Sequence, residues 1–146
     1  MDRKEFLKVC GGSCLSLMGF SILSQSCKAT HYAQTVVANN KVQISKLDFV
    51  IIKNEESTYR KYVIAKSDNL DFPIVVYRNS ETSYTALLLR CTHQGIELNV
   101  NGDLITCSAH GSEFSKDGEV FTGPAEQKLK SFPVTVDEKN IYINLI

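Results

Sequence analysis

Two short stretches, Cys91-Thr92-His93-Gln94-Gly95 and Cys107-Ser108-Ala109-His110-Gly111-Ser112, constrain this chain more than anything else in it. Each supplies one thiol and one imidazole and runs directly into a glycine. Thirteen residues separate His93 from Cys107. Thiolate and imidazole are the donors that soft and borderline metals take, so these four side chains can close a metal site with no other ligand. The fold must therefore bring two loops, separate in sequence, to one end of the molecule. Gly95 and Gly111 suit positions where the backbone turns tightly with φ > 0.

Two metal chemistries compete for this donor set. A Cys2His2 zinc site usually pairs like ligands at short spacing, as C-x-x-C and H-x-x-x-H. Here each loop mixes one Cys with one His. The pattern C-x-H, spacer, C-x-x-H, each half continuing into Gly, resembles the Rieske family. In that family two Cys hold one iron of a [2Fe–2S] cluster and two His hold the other. The resemblance implies one [2Fe–2S] cluster as cofactor, with Cys91, His93, Cys107 and His110 as its ligands. Thiolates stabilise the iron that stays ferric, whereas neutral imidazoles leave less negative charge around the other, which accepts an electron more readily. The resemblance also implies that the His-ligated iron is the one reduced, near the surface. A structural zinc domain remains the lesser alternative.

The same resemblance assigns further positions. Ser112 stands where family members place a hydroxyl that donates to a bridging sulfide. Two residues later, high-potential members carry a Tyr that donates to a ligand sulfur, and this chain has Phe114. Gln94 replaces a frequent Leu, making that side of the site more polar. A disulfide that joins the ligand loops in many quinol-oxidising members would fall at Ile96 and Ala109, so this chain lacks it. Gly123-Pro124-Ala125 resembles the family's third loop, which covers the cluster.

Length permits one small domain plus an N-terminal address. The chain has 146 residues, 43% of them hydrophobic, and a formal net charge of zero. No basic surplus points to nucleic acid. Arg3, Lys4 and Lys8 precede a mostly apolar stretch, Val9 to Leu23, which is short for a span of about 20 residues. Residues 1–26 therefore read as a signal peptide, and Asp2-Arg3-Lys4-Glu5-Phe6-Leu7-Lys8 resembles a twin-arginine export signal with Lys in place of the second Arg. Leu23-Ser24-Gln25-Ser26-Cys27 resembles a lipoprotein processing site, making Cys27 the lipidation candidate. The five cysteines divide accordingly: Cys10 and Cys14 in the removed segment, Cys27 at the processing site, Cys91 and Cys107 at the metal.

Residues 27–40 are polar and small and read as a tether, followed by the domain at 41–146. Strand patterns cover Lys41–Ile52, Tyr59–Lys66, Phe72–Arg78 and Tyr84–Leu89. Pro73 places the third at a strand start or a sheet edge. Asn101-Gly102 suits a type I′ hairpin turn between the two ligand loops. Asp117-Gly118 marks another turn, and Asp137–Asn140 separates two closing strands at Phe132–Val136 and Ile141–Leu145. The expected fold is all-β, with no long amphipathic helix after residue 27. Its Rieske resemblance implies antiparallel sheets, with a cluster-binding subdomain at about 88–122 inserted in a base domain.

All three histidines are His31, His93 and His110, and no nucleophile–base pair is evident. The functional expectation is one-electron transfer by an exported protein, tethered by lipid on the extracytoplasmic side of a membrane. Its partners are a redox donor and acceptor, and it performs no catalysis alone. The alternative is the Rieske subunit of a multi-subunit oxidoreductase, either arsenite-oxidase-like or quinol-oxidising.

Overall fold

The computed structural model describes residues 30–146. The signal segment, Cys10, Cys14 and the lipidation candidate Cys27 lie outside the described residues. Among the described residues no helix is long and apolar enough to cross a membrane. The domain is all-β: fifteen strands and one short 3₁₀ turn.

The organising layer is a five-stranded sheet in the order Tyr32–Ala33, Tyr62–Ala65, Ile74–Arg78, Tyr84–Leu88, Ser131–Phe132. Its middle strand is apolar from Ile74 to Tyr77, all four buried, because both faces are covered. Val63, Ala65, Ile74, Val76 and Ala86 point into one core, shared with Val42, Ile44, Ile141 and Ile143 of a second sheet. Ile64, Val75, Tyr77 and Leu87 point the other way, into a core that contains Cys91 and Cys107. This period-two division turns one sheet into the partition between a structural core and the end that carries the two Cys/His loops. Ile74–Arg78 occupies the middle of the sheet, so Pro73 marks a strand start and not an edge. Proline fits there because it lies just before the first ladder residue; its carbonyl accepts from Leu89 N–H at 2.9 Å.

Three expectations need correction. The expected tether at 27–40 is structured from its described part onward: Tyr32–Ala33 joins the five-stranded sheet, and Val36–Ala38 pairs with Lys41–Ser45. Asn39 and Asn40, at φ 51° and 57°, form the two-residue connection, the pattern of a type I′ turn. The stretch Lys41–Ile52 is two strands and not one. A 3₁₀ turn, Lys46–Phe49, intervenes, with Ser45 Oγ accepting from Leu47 N–H, and it drops Phe49 into the first core. The following hairpin, Val50–Lys53 with Glu56–Tyr59, again uses a positive-φ pair, Asn54-Glu55.

The third correction concerns the hairpin between the ligand loops. Asn101 pairs with Leu104, so the turn is Gly102-Asp103, not Asn101-Gly102. Of its residues only Gly102 has positive φ, 65°, which is the type II′ pattern. This register sets Val100 opposite Ile105, both packed in the second core. Tyr77 also fixes it, donating its hydroxyl to Gly102 O at 3.0 Å. Burial holds the Tyr77 phenol well above its ordinary range, with Tyr62, Asp103 and Asp117 adding to the effect, so it remains a donor.

Strands Asn99–Asn101, Leu104–Thr106, Glu113–Ser115 and Val120–Thr122 form a separate four-stranded antiparallel sheet at the metal end. Two exposed or half-exposed links also join it to the base: Lys61 Nζ lies 3.1 Å from Asp103, and Tyr62 donates to Val100 O at 3.4 Å.

Candidate metal centre

The two Cys/His stretches fold into loops with the same backbone frame. Each is the six-residue end of a hairpin. The first, 91–96, is closed by the Arg90–Glu97 bridge; the second, 107–112, is closed by the Thr106–Glu113 pair. In each, the cysteine N–H donates to the carbonyl of the sixth residue, Ile96 or Ser112, at 2.8 Å. In each, the fifth residue is Gly and donates its N–H to the cysteine carbonyl, at 2.8 Å from Gly95 and 3.0 Å from Gly111. Both glycines have positive φ, 73° and 78°. The chain reversal therefore demands glycine at the fifth position of both loops. Only the histidine differs: it is third in the first loop and fourth in the second.

This frame sorts the donors by kind. Cys91 and Cys107 are buried at 2% exposure within one core cluster. Both are free thiols. His93 and His110 are exposed, with ring centroids 4.9 Å apart at 84°. Burial pushes the Cys107 thiol up, but the N–H groups of His110 and Ala109 and the Cys91 thiol outweigh it, holding Cys107 below the ordinary thiol range. Its environment thus favours the thiolate, the form that binds metal. Among the described residues no three His, Cys, Asp or Glu side chains converge to hold a single ion. The four donors divide two by two, thiols inward and imidazoles outward. That arrangement fits two adjacent irons of different ligation better than one tetrahedral zinc.

The surroundings follow. Ser112 is fully buried, and its Oγ accepts from Ala125 N–H at 3.0 Å. Phe114 is fully buried beside the two cysteines in the same core cluster. Gln94 is exposed with the first loop. Gly123 and Pro124, joined by a cis peptide bond, are exposed, while Ala125 is buried at 4%. The segment 123–127 is fastened to both ligand loops: Ala125 holds Ser112, and Gln127 O accepts from Thr92 Oγ1 at 2.6 Å. Sequence reasoning missed Thr92 and Gln127. The one available signal was the position of Thr92 inside the first motif. His31, which carries no expected site role, pairs with Asp48 at 3.3 Å in the base.

Residues 33–133 match the family model described as Rieske [2Fe-2S] domain. This chain belongs to the Rieske [2Fe-2S] domain family, its cofactor is one [2Fe–2S] cluster, and its chemistry is electron transfer through that cluster. Among solved structures, the cyanobacterial plasma membrane Rieske protein PetC3 from Synechocystis PCC 6803 is 26% identical, with a TM-score of 0.49, over 57% of this chain and 85% of that one. A chain from the complex of reduced oxygenase and oxidised ferredoxin in carbazole 1,9a-dioxygenase is 26% identical, with a TM-score of 0.45, over 58% and 81%. No curated protein sequence matches significantly.

Proposed function

We propose that Cys91 and Cys107 hold the inner iron, that His93 and His110 hold the outer one, and that single electrons enter and leave through the exposed imidazoles. The observation that carries this reading is the sorting itself: two matched loops bury both thiols and expose both imidazoles. The bound cluster supplies a one-electron couple. The chain's own residues do the rest. The buried thiols exclude water from one side, and the imidazole edges offer a short path to a redox partner that docks on them. Ser112 holds a proton toward the site. Segment 123–127, including Gly123 and Pro124, covers the cluster from the side of Ala125.

The protein works outside the cytoplasm. Its basic start, short apolar stretch and Ser26-Cys27 junction support export and lipid attachment at Cys27. Tyr32 and Ala33 are already in the five-stranded sheet, and only four residues, 28–31, separate Cys27 from it. At about 3.3–3.6 Å per residue, this holds the domain close to the membrane surface.

Replacing Cys91, His93, Cys107 or His110 singly with Ala should abolish the reduced-state paramagnetic resonance signal. A variant that keeps the unaltered signal removes that residue from the ligand set. Mass spectrometry of the native N-terminus tests the address: a diacylglycerol-modified Cys27 supports it, and an intact Met1 refutes it.

A further inference from the structure

A cleft of about 460 Å³ opens beside the first ligand loop, bordered by Cys91, His93 and Gly95. No residue of the second ligand loop lines it, so it is not the space between the four ligands. Arg90 and Lys130 line both it and an adjoining cleft, and none of its own lining residues is a carboxylate. Thr92, Gln94 and Gln127 add polar groups.

The two cations are placed by packing and not by acids. Arg90 stacks 5.5 Å from the Phe72 ring centroid, and an added Cβ at Gly95 would meet its Nε at 3.1 Å. Lys130 Nζ sits 5.0 Å from the Phe132 centroid. Among the described residues neither has a carboxylate within 4.0 Å. Glu97, opposite Arg90, lies 3.9 Å from Lys66 instead. Asp71 borders an adjoining cleft of about 280 Å³ that shares Arg90 and Lys130. Pre-placed cations without acid partners, next to hydrogen-bonding side chains, suit an anionic oxygen group.

We propose that this cleft binds a carboxylate or phosphate group between Arg90 and Lys130, and that its occupancy lowers the reduction potential of the metal centre. Reduction adds a negative charge beside Cys91 and His93, and an anion held in the same wall opposes it. Reciprocity then requires the oxidised protein to bind the anion more tightly than the reduced protein. The coupling rests on the ligand assignment proposed above; the binding does not. The anion is either free in solution or an acidic side chain of a docking redox partner, and the recognition chemistry is the same.

The test uses the holoprotein at constant ionic strength held with chloride. Inorganic phosphate and, separately, a hexaglutamate peptide are titrated by calorimetry, and the potential is followed by voltammetry. Saturable binding is expected, with an oxidised-to-reduced affinity ratio of about 5–10, which is a fall of about 40–60 mV. Tighter binding of phosphate assigns a free anion, and tighter binding of hexaglutamate assigns a partner's acidic side chain. Arg90→Gln and the surface variant Lys130→Gln should each weaken binding and remove the fall, whereas Lys61→Gln should do neither. Absent binding, or binding unchanged in both variants, overturns the site. Saturable binding with a fixed potential overturns the coupling. If histidine nitrogen is then also absent from the paramagnetic centre, the fault lies in the ligand assignment.

Discussion

The Ser112 hydroxyl oxygen accepts a hydrogen bond from Ala125 N–H at 3.0 Å, joining the loop 107–112 to the segment 123–127. An oxygen engaged as acceptor by an amide keeps its own proton free to donate. Full burial keeps that proton from water, and the proposed role has it donate to the cluster sulfurs. Reduction adds negative charge to the sulfurs, so a donor to them raises the potential. Ser112→Ala should lower it, by at most about 60–130 mV, the limit in which ~1.5–3 kcal/mol for a hydrogen bond to a charged acceptor is gained only on reduction, at about 59 mV per tenfold change for one electron. Protein-film voltammetry on both proteins measures this, and an unchanged or higher potential would remove Ser112 from the donor role.

Phe114 presents the complementary case. It is fully buried with Cys91 and Cys107, where high-potential relatives carry a hydroxyl. Phe114→Tyr should raise the potential if the new hydroxyl reaches the Cys91 sulfur. Without that acceptor it is a buried unsatisfied polar group and costs about 1–3 kcal/mol. A raised potential with unchanged thermal stability supports the sulfur as partner; an unchanged potential with lowered stability counts against it.

The matched glycines predict unequal losses. An alanine at Gly95 or Gly111 must adopt a left-handed conformation, at about 1–2 kcal/mol. At Gly111 the added Cβ meets nothing within 4 Å, whereas at Gly95 it presses on Arg90 at 3.1 Å. Gly95→Ala should therefore destabilise the holoprotein more than Gly111→Ala. Thermal unfolding followed by loss of visible absorbance checks the order.

The closing hairpin carries a pH-dependent term. Asp137 accepts from Tyr142 OH at 2.8 Å, from Asn140 N–H at 2.6 Å and from Lys139 N–H at 2.8 Å, which bring its carboxyl from 3.8 down to about 2. The native state thus prefers the ionised form more strongly than the unfolded state does. The stabilisation is present in full above about pH 4 and is lost as pH falls through about 2. Wild type should exceed Asp137→Asn in unfolding temperature at pH 6, and the gap should close on acidification toward pH 2. A gap independent of pH would assign the effect to something other than this carboxylate.

Much of the metal end was legible because its determinants are local. Cysteine, histidine and glycine sit within six residues of one another in each loop, and residue type alone reveals donor and turn. The central strands were legible because Ile74–Tyr77 is buried on both faces. Other elements left no such trace. Glu56–Tyr59 is a wholly exposed strand of a two-stranded hairpin and has no buried face to impose alternation. Tyr32–Ala38 contributes strands two and three residues long, too short for any period. The turn at Gly102-Asp103 was displaced by one residue because Tyr77 and the Val100–Ile105 pair select the register from a distance. The Thr92–Gln127 contact ends on a carbonyl, which every residue type carries.

The proposed division of ligands puts two thiols on one iron and two imidazoles on the other. Electron–nuclear double resonance on the reduced holoprotein, with parallel iron and sulfide analysis, tests it most directly. Two irons, two acid-labile sulfides and two distinct histidine nitrogen couplings to the unpaired spin are expected. One stoichiometric zinc with no sulfide, or a two-iron centre without nitrogen coupling, would contradict it.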